Sequence, residues 1–208
     1  MSTHASKAQP SYLVDTGTRT GLMAWLTTTD HKRIGLLYLY SMITFFFVGV
    51  GVAFVMRLVQ LTTFQHLITA QTYNALFTLH GVIMIFLFVI PGLPAVFGNF
   101  FLPILIGAKD VSFPRLNLAS WYFFMAGAIL AILSLFTGGG APDTGWTFYA
   151  PFSLKTGTNV SLAVFAAFIL GFSSMLTGIN FITTIHRLRA PGMQWFRMPL
   201  MCWALYST

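Results

Sequence analysis

Side chains able to do chemistry are scarce in this chain: Lys and Arg supply 11 residues, Asp and Glu 4, and His 5, out of 208. Each polar group set in an apolar stretch therefore stands out. His80 is the histidine placed well inside such a stretch, about seven residues past its start near Tyr73, or roughly 10 Å along a helix. Neutral imidazole is the commonest metal ligand, and an ionisable group within a membrane helix is costly enough to make function the first hypothesis. His80 is thus read as a metal or haem ligand, against the plainer alternative of a histidine hydrogen-bonded to a neighbouring helix. Gly81 follows it, which would let a flat macrocycle or another helix come close. Arg57, near the outer end of the preceding apolar run, is either an arginine reaching back to the interface or a charge partner for a cofactor substituent or propionate.

A second set lies toward the other membrane face. Asp110 sits in a short connection beside Lys109 and Arg115. It is either a solvated loop carboxylate or a collector of protons for a buried path. Asn99, Asn117 and Asn180, with Ser173 and Ser174, belong to the flanking apolar runs. Such side chains order files of water, and they also bind membrane helices to one another; the sequence leaves both open. The glycines Gly138 to Gly140 are not followed by Gly-Lys-Ser or Gly-Lys-Thr, so the loop is no phosphate cradle. Beyond them, Gly145, Trp146 and Tyr149 form either a cap over a buried site or an aromatic interface anchor. The lone cysteine, Cys202, excludes an internal disulfide. No Cys/His cluster, catalytic triad or paired carboxylates are visible.

The elements holding these groups follow from composition. The chain is 56% hydrophobic and 7% charged, whereas soluble domains carry about 25% charged residues; its mean hydropathy is +0.77. A bilayer span needs about 20 apolar residues. The chain reads as an all-α, polytopic transmembrane helix bundle with four complete spans, near 34–59, 73–107, 118–136 and 160–185, and the start of a fifth near Pro199. Residues 1–30 form a polar tail and 31–208 the transmembrane domain. The second run is too long for one upright helix and contains Pro91, Pro94 and Pro103, which predicts a tilted, kinked helix. Lys7, Arg19, Lys32 and Arg33, then Lys109 and Arg115, then Arg187, Arg189 and Arg197 occupy alternate connections. This positive-inside pattern puts the N-terminus inside. It accounts for the net charge of +7 without a nucleic-acid partner. Residues 1–25 lack the apolar core of a secretory signal, so the first span is expected to act as its own signal-anchor. The fifth run stops about ten residues in, at Thr208, which predicts a partial chain.

Five ordered motifs carry a family resemblance. Thr78-Leu79-His80-Gly81-Val82-Ile83-Met84-Ile85-Phe86, with Pro91 beyond, resembles the helix of haem–copper oxidase subunit I that bears a low-spin haem ligand. Phe97-Gly98-Asn99, Ile106-Gly107-Ala108-Lys109-Asp110 and Phe113-Pro114-Arg115-Leu116-Asn117 resemble its proton-entry segment. Gly145-Trp146-Thr147-Phe148-Tyr149 is similar to its outer loop, and Ser173-Ser174 with Gly178-Ile179-Asn180-Phe181-Ile182-Thr183-Thr184 to its fourth helix. Asp30-His31-Lys32-Arg33-Ile34-Gly35 resembles its start, so the likeness runs from about residue 30 to the end.

The resemblance implies that His80 is an axial ligand of a low-spin haem, with haem A favoured by Arg57. Arg57 would meet the formyl or a neighbouring substituent, and Tyr73, Met84, Gly145 and Trp146 would line the group. Asp110 would open a D-type proton path continued by Asn99, Asn117, Ser173, Ser174 and Asn180. The family reduces dioxygen to water and pumps protons, passing electrons from the low-spin haem to a high-spin haem and copper pair. Its other metal ligands would lie past residue 208, so no oxygen-reducing site is expected in this part. Implied partners are subunits II and III, cytochrome c or quinol as donor, and the lipid bilayer. A bacterial inner membrane is favoured over a mitochondrial one. A nitric-oxide-reductase-like enzyme and a haem-free, transporter-like membrane fragment are the competing readings. Two positions depart from the family pattern: Lys109 stands where proline is usual, and Leu118 where a second asparagine often lies beside Asn117. The lysine should favour the ionised form of Asp110.

Overall fold

A computed structural model describes residues 21–61, 66–137 and 139–208, and the regular elements among them are all helical. Most of the expected tail, with Lys7 and Arg19, and the loop glycine Gly138 lie outside the described residues. A short helix α1 (Leu22–Leu26) precedes α2 (His31–Val59). The start of α2 is set by Asp30, whose backbone is extended and whose carboxylate accepts the Lys32 N–H at 2.8 Å. That side chain satisfies a donor that no helical carbonyl can reach.

The second long helix, α3, runs over Ala70–Ile106. Thr69 caps its start, accepting from the Thr72 N–H at 3.2 Å. Its 37 residues would extend about 55 Å, well beyond a hydrocarbon core of about 30 Å. The irregularity expected from the prolines takes the form of two widened, π-helical segments, Ile83–Val89 and Gly92–Gly98. They flank Pro91, which brings no N–H and whose ring collides with the carbonyl four residues back in a regular helix. The rod stops at Gly107, whose φ of +74° is the left-handed closure that glycine adopts without strain.

Helix α4 (Pro114–Leu133) begins four residues before the apolar run suggested, because Pro114 takes a first-turn position where a missing N–H costs nothing. This extension places Asn117 in the first turn. After a loop containing the short helix α5 (Phe152–Lys155) come α6 (Val160–Leu188), a 3₁₀ turn (Trp195–Arg197) and α7 (Leu200–Ser207). Four helices, α2, α3, α4 and α6, are long and apolar enough to cross a membrane.

Two pairings dominate, α4 against α6 and α2 along the length of α3. Lipid tails are as apolar as leucine, so membrane helices associate by close fit at small residues. Gly127 supplies one such point, where a Cβ would fall 2.6 Å from Leu170 Cγ; Gly98 supplies another, directly beneath the Phe181 ring. One buried cluster joins Ile34, Tyr38, Phe45, Leu87, Phe124 and Leu170 across α2, α3, α4 and α6. A second, with Leu102, Ile106, Phe181, Ile185, Cys202 and Leu205, seats α7 on α3 and α6. Outward-facing side chains such as Phe54, Ile104 and Phe168 are large and apolar, as lipid contact requires.

Candidate functional site

His80 lies on the face of α3 turned toward α2, and its Nδ1 is 3.0 Å from the carbonyl oxygen of Gly49. A carbonyl only accepts, so Nδ1 carries the proton. In the neutral ring, Nε2 then holds a free lone pair. This is the arrangement of a metal-ligating histidine, in which a backbone carbonyl fixes tautomer and ring orientation. Among the described residues no three His, Cys, Asp or Glu side chains gather around a possible metal position. His80 would give one nitrogen ligand to an iron there, which suits a macrocycle that brings its own nitrogen donors. The donor chemistry fits a haem.

The neighbours of His80 are set by helical spacing. Tyr73, His80 and Met84 fall at i, i+7 and i+11, on one face of α3. Met84 packs on the same residue that receives His80, since a Cβ built on Gly49 would lie 2.6 Å from Met84 Sδ. Tyr73 is tied to Arg57 through Gln60: the Gln60 amide donates to the Tyr73 hydroxyl at 2.7 Å, and Arg57 donates to Gln60 Oε1 at 3.3 Å. Arg57 itself is exposed. The loop between α4 and α6 closes over the next turn. The Gly145 N–H donates to Thr78 Oγ1 at 2.8 Å, and the Trp146 side chain lies on Gly81, where a Cβ would be 2.7 Å from Cδ1 and 2.8 Å from Cβ of the tryptophan. Gly81 thus admits the loop indole. Phe86 meets the same ring edge-on, with centroids 6.3 Å apart.

At the other end, Asp110 Oδ1 lies 3.0 Å from Nδ1 of His31, the first residue of α2, and also accepts the Val111 N–H at 2.7 Å. His31 is buried although Asp110 is only half-buried. The connection beyond Asp110 is held from α6: Thr184 Oγ1 accepts from the Ser112 N–H and Asn180 Oδ1 from the Phe113 N–H, both at 2.9 Å. Asn117 donates to Asn99 Oδ1 at 2.5 Å, and Asn99 donates to the Ala95 carbonyl at 2.6 Å. Asn99, Asn117 and Asn180 are each 0% exposed. Two of their atoms, Asn117 Oδ1 and Asn180 Nδ2, have no protein partner. Buried polar atoms of this kind are usually met by ordered water.

From Asn117 a string of hydroxyls continues. Ser120 donates to the Asn117 carbonyl at 2.7 Å and accepts from Tyr38 at 2.9 Å; the Tyr38 oxygen lies 3.1 Å from Ser173 Oγ. Ser173 donates to the Ser120 carbonyl at 2.7 Å, and Thr177 to the Ser173 carbonyl at 3.0 Å. All these hydroxyls are buried among α2, α4 and α6.

The fold thus brings Asn99, Asn117 and Ser173 onto one hydrogen-bonded string. Asn180 lies beside Phe113 at its foot, and Asp110 at the mouth on His31. Ser174 is on the exposed side of α6 and lines a cavity of about 130 Å³ with Phe86, Ile90 and Pro91. His31, Tyr38, Ser120, Gln60 and Gly49 were not singled out as site residues from the sequence. A polar residue recurring in an otherwise apolar run was the available signal for Tyr38 and Ser120. Nothing in the sequence marks a backbone carbonyl.

Comparison with known proteins gives a consistent result. The family model described as "Cytochrome C and Quinol oxidase polypeptide I" matches residues 33–208. The chain is 44% identical over 181 residues to cytochrome c oxidase subunit 1 of Thermostichus vulcanus, covering 86% of this chain and 32% of that protein. It is 42% identical over 180 residues to the subunit of the same name from Synechocystis sp., covering 86% and 32%. It is 39% identical over 189 residues to heme-copper oxidase subunit I+III of Aeropyrum pernix, covering 88% and 23%. The chain therefore spans between about a quarter and a third of the length of these curated relatives.

Proposed function

The chain belongs to the cytochrome c and quinol oxidase polypeptide I family, and from that premise we propose that it is the N-terminal part of the catalytic subunit of a respiratory terminal oxidase. The whole subunit reduces dioxygen to water and pumps protons. This part would supply one ligand of the low-spin haem and the entrance of a D-type proton path. The observation carrying the haem reading is the His80 Nδ1 contact to the Gly49 carbonyl at 3.0 Å, which leaves Nε2 as the donor atom. Bound there, haem supplies one-electron redox chemistry. His80 would hold the iron, and Tyr73, Met84, Gly145 and Trp146 would line the macrocycle. Arg57, which donates to Gln60 Oε1 at 3.3 Å, would meet a polar substituent of that group, the formyl of haem A.

The proton side rests on Asp110 and the string above it. Asp110 gathers protons at the inner face with His31 beside it. The buried valences of Asn117 and Asn180 hold water in line, and the hydroxyls of Ser120, Tyr38 and Ser173 carry the file upward. Ser174 adds an acceptor on the cavity side. The high-spin haem and copper are assigned to the remainder of the subunit. We assign subunits II and III, a cytochrome c or quinol donor, and the lipid bilayer as partners. The N-terminus, with residues 1–30 as its tail, is placed on the inner side of a bacterial inner membrane.

The test is an optical spectrum of the full-length subunit in its assembled oxidase. His80→Ala should abolish the six-coordinate low-spin haem signal; its persistence would exclude His80 as ligand.

A further inference from the structure

We infer that Gly49, a residue of α2, is a positioning residue that sets the reduction potential of the iron that His80 would hold. The inference rests on the haem reading above and goes one step outward from it. The His80 imidazole donates to the Gly49 carbonyl at 3.0 Å. The stronger this hydrogen bond, the more negative charge the ring carries and the more electron density Nε2 gives to a bound metal. A ferric iron is favoured over a ferrous one by that donation, so a short bond lowers the potential and a long one raises it.

The length of the bond is controlled by how closely α2 approaches α3, and Gly49 is where that approach is made. A Cβ on residue 49 would lie 2.6 Å from Met84 Sδ, 3.2 Å from Met84 Cγ and 3.2 Å from Ile83 Cγ2. His80 and Met84 are four residues apart, on one face of α3 and one above the other. The hydrogen bond and the glycine contact are therefore made at the same residue by neighbouring side chains. Any side chain at 49 must push Met84 aside or part the two helices, and parting them stretches the His80 bond. Two residues on, Gly51 has open space beside it, so a side chain is accommodated there and not at 49.

The experiment uses the full-length subunit in the assembled oxidase and reads the midpoint potential of the low-spin haem by spectroelectrochemical titration. Gly49→Ala should move the potential upward or, if the helices part further, lose the low-spin haem. The double variant Gly49→Ala/Met84→Ala removes the thioether that the new methyl strikes and should return haem and potential toward those of Met84→Ala alone. A Gly49→Ala enzyme with unchanged potential overturns the inference, as does a double variant as displaced as the single one. Failure here is separable from failure of the haem reading. If His80→Ala abolishes the low-spin signal while Gly49→Ala leaves the potential unmoved, only the role of Gly49 falls. If the signal survives His80→Ala, the underlying assignment falls.

Discussion

Gly81→Ala is the substitution whose effect can be worked furthest from the geometry. The added methyl carbon would lie 2.7, 2.8 and 2.9 Å from Cδ1, Cβ and Cγ of Trp146, whereas ordinary contact begins at 3.4 Å. Relief therefore needs a shift of about 0.7 Å, on the usual cost scale for overpacking. Because Trp146 Cβ is one of the struck atoms, turning the ring cannot provide it, and the loop backbone must lift. The neighbouring Gly145 N–H bond to Thr78 Oγ1, now 2.8 Å, would lengthen to about 3.5 Å, where little of it survives. Overpacking costs about 1–3 kcal/mol and the lost hydrogen bond about 1 kcal/mol. A destabilisation of roughly 2–4 kcal/mol is expected on those scales. The assay is a double-mutant cycle with Trp146→Ala, following unfolding of the purified subunit in mixed micelles. With the indole gone the methyl has room, so the coupling should be about 1 kcal/mol or more. Additive effects would refute the claim that the loop is seated on Gly81 through this ring.

Two further outcomes concern the half of the bundle that holds Asp110 and Asn117. Asp110→Asn in the assembled oxidase should slow proton uptake and weaken pumping, measured by pH-indicator absorbance during turnover; unchanged uptake would remove Asp110 from the path. Asn117→Leu strips Asn99 Oδ1 of its buried donor and should destabilise the subunit by about 1–3 kcal/mol, whereas Asn99→Leu/Asn117→Leu should cost less than the two single changes added, a comparison made by unfolding in the same micelles.

The helices were legible from the sequence because length and apolar composition decide whether a segment can cross a bilayer. His80 stands out for the converse reason, as a costly group in an apolar run, and the fold gives its Nδ1 the Gly49 carbonyl as a partner. The inward face of each helix was not legible. In a soluble protein the polar side of a helix marks what is outside, but α2, α4 and α6 are apolar nearly all round, so Tyr38 and Ser120 carry no phase mark showing that they meet. Gly81 illustrates the same limit. Its smallness signalled a close approach and left open whether a cofactor or a protein group makes it, and the indole of Trp146 is what lies there. Asn180 was read as polar lining, and the fold adds a structural task, holding Phe113 at the start of α4. That task follows from where α4 begins, which Pro114 shifted out of the apolar run. The Arg57 to Tyr73 link depends on Gln60, a neutral residue at a helix end with no signal of its own.

The two widened segments of α3, Ile83–Val89 and Gly92–Gly98, act on that rod as a phase adjuster. Each extra residue taken up in a wide turn offsets everything beyond it by about 100° around the axis. His80 lies before both segments and Asn99 just after them. The azimuth at which the imidazole addresses α2 is thereby uncoupled from the azimuth at which the amide addresses Asn117, though a single continuous backbone carries both. One rod can then present an imidazole at one end and a carboxamide at the other, each aligned to its own neighbours.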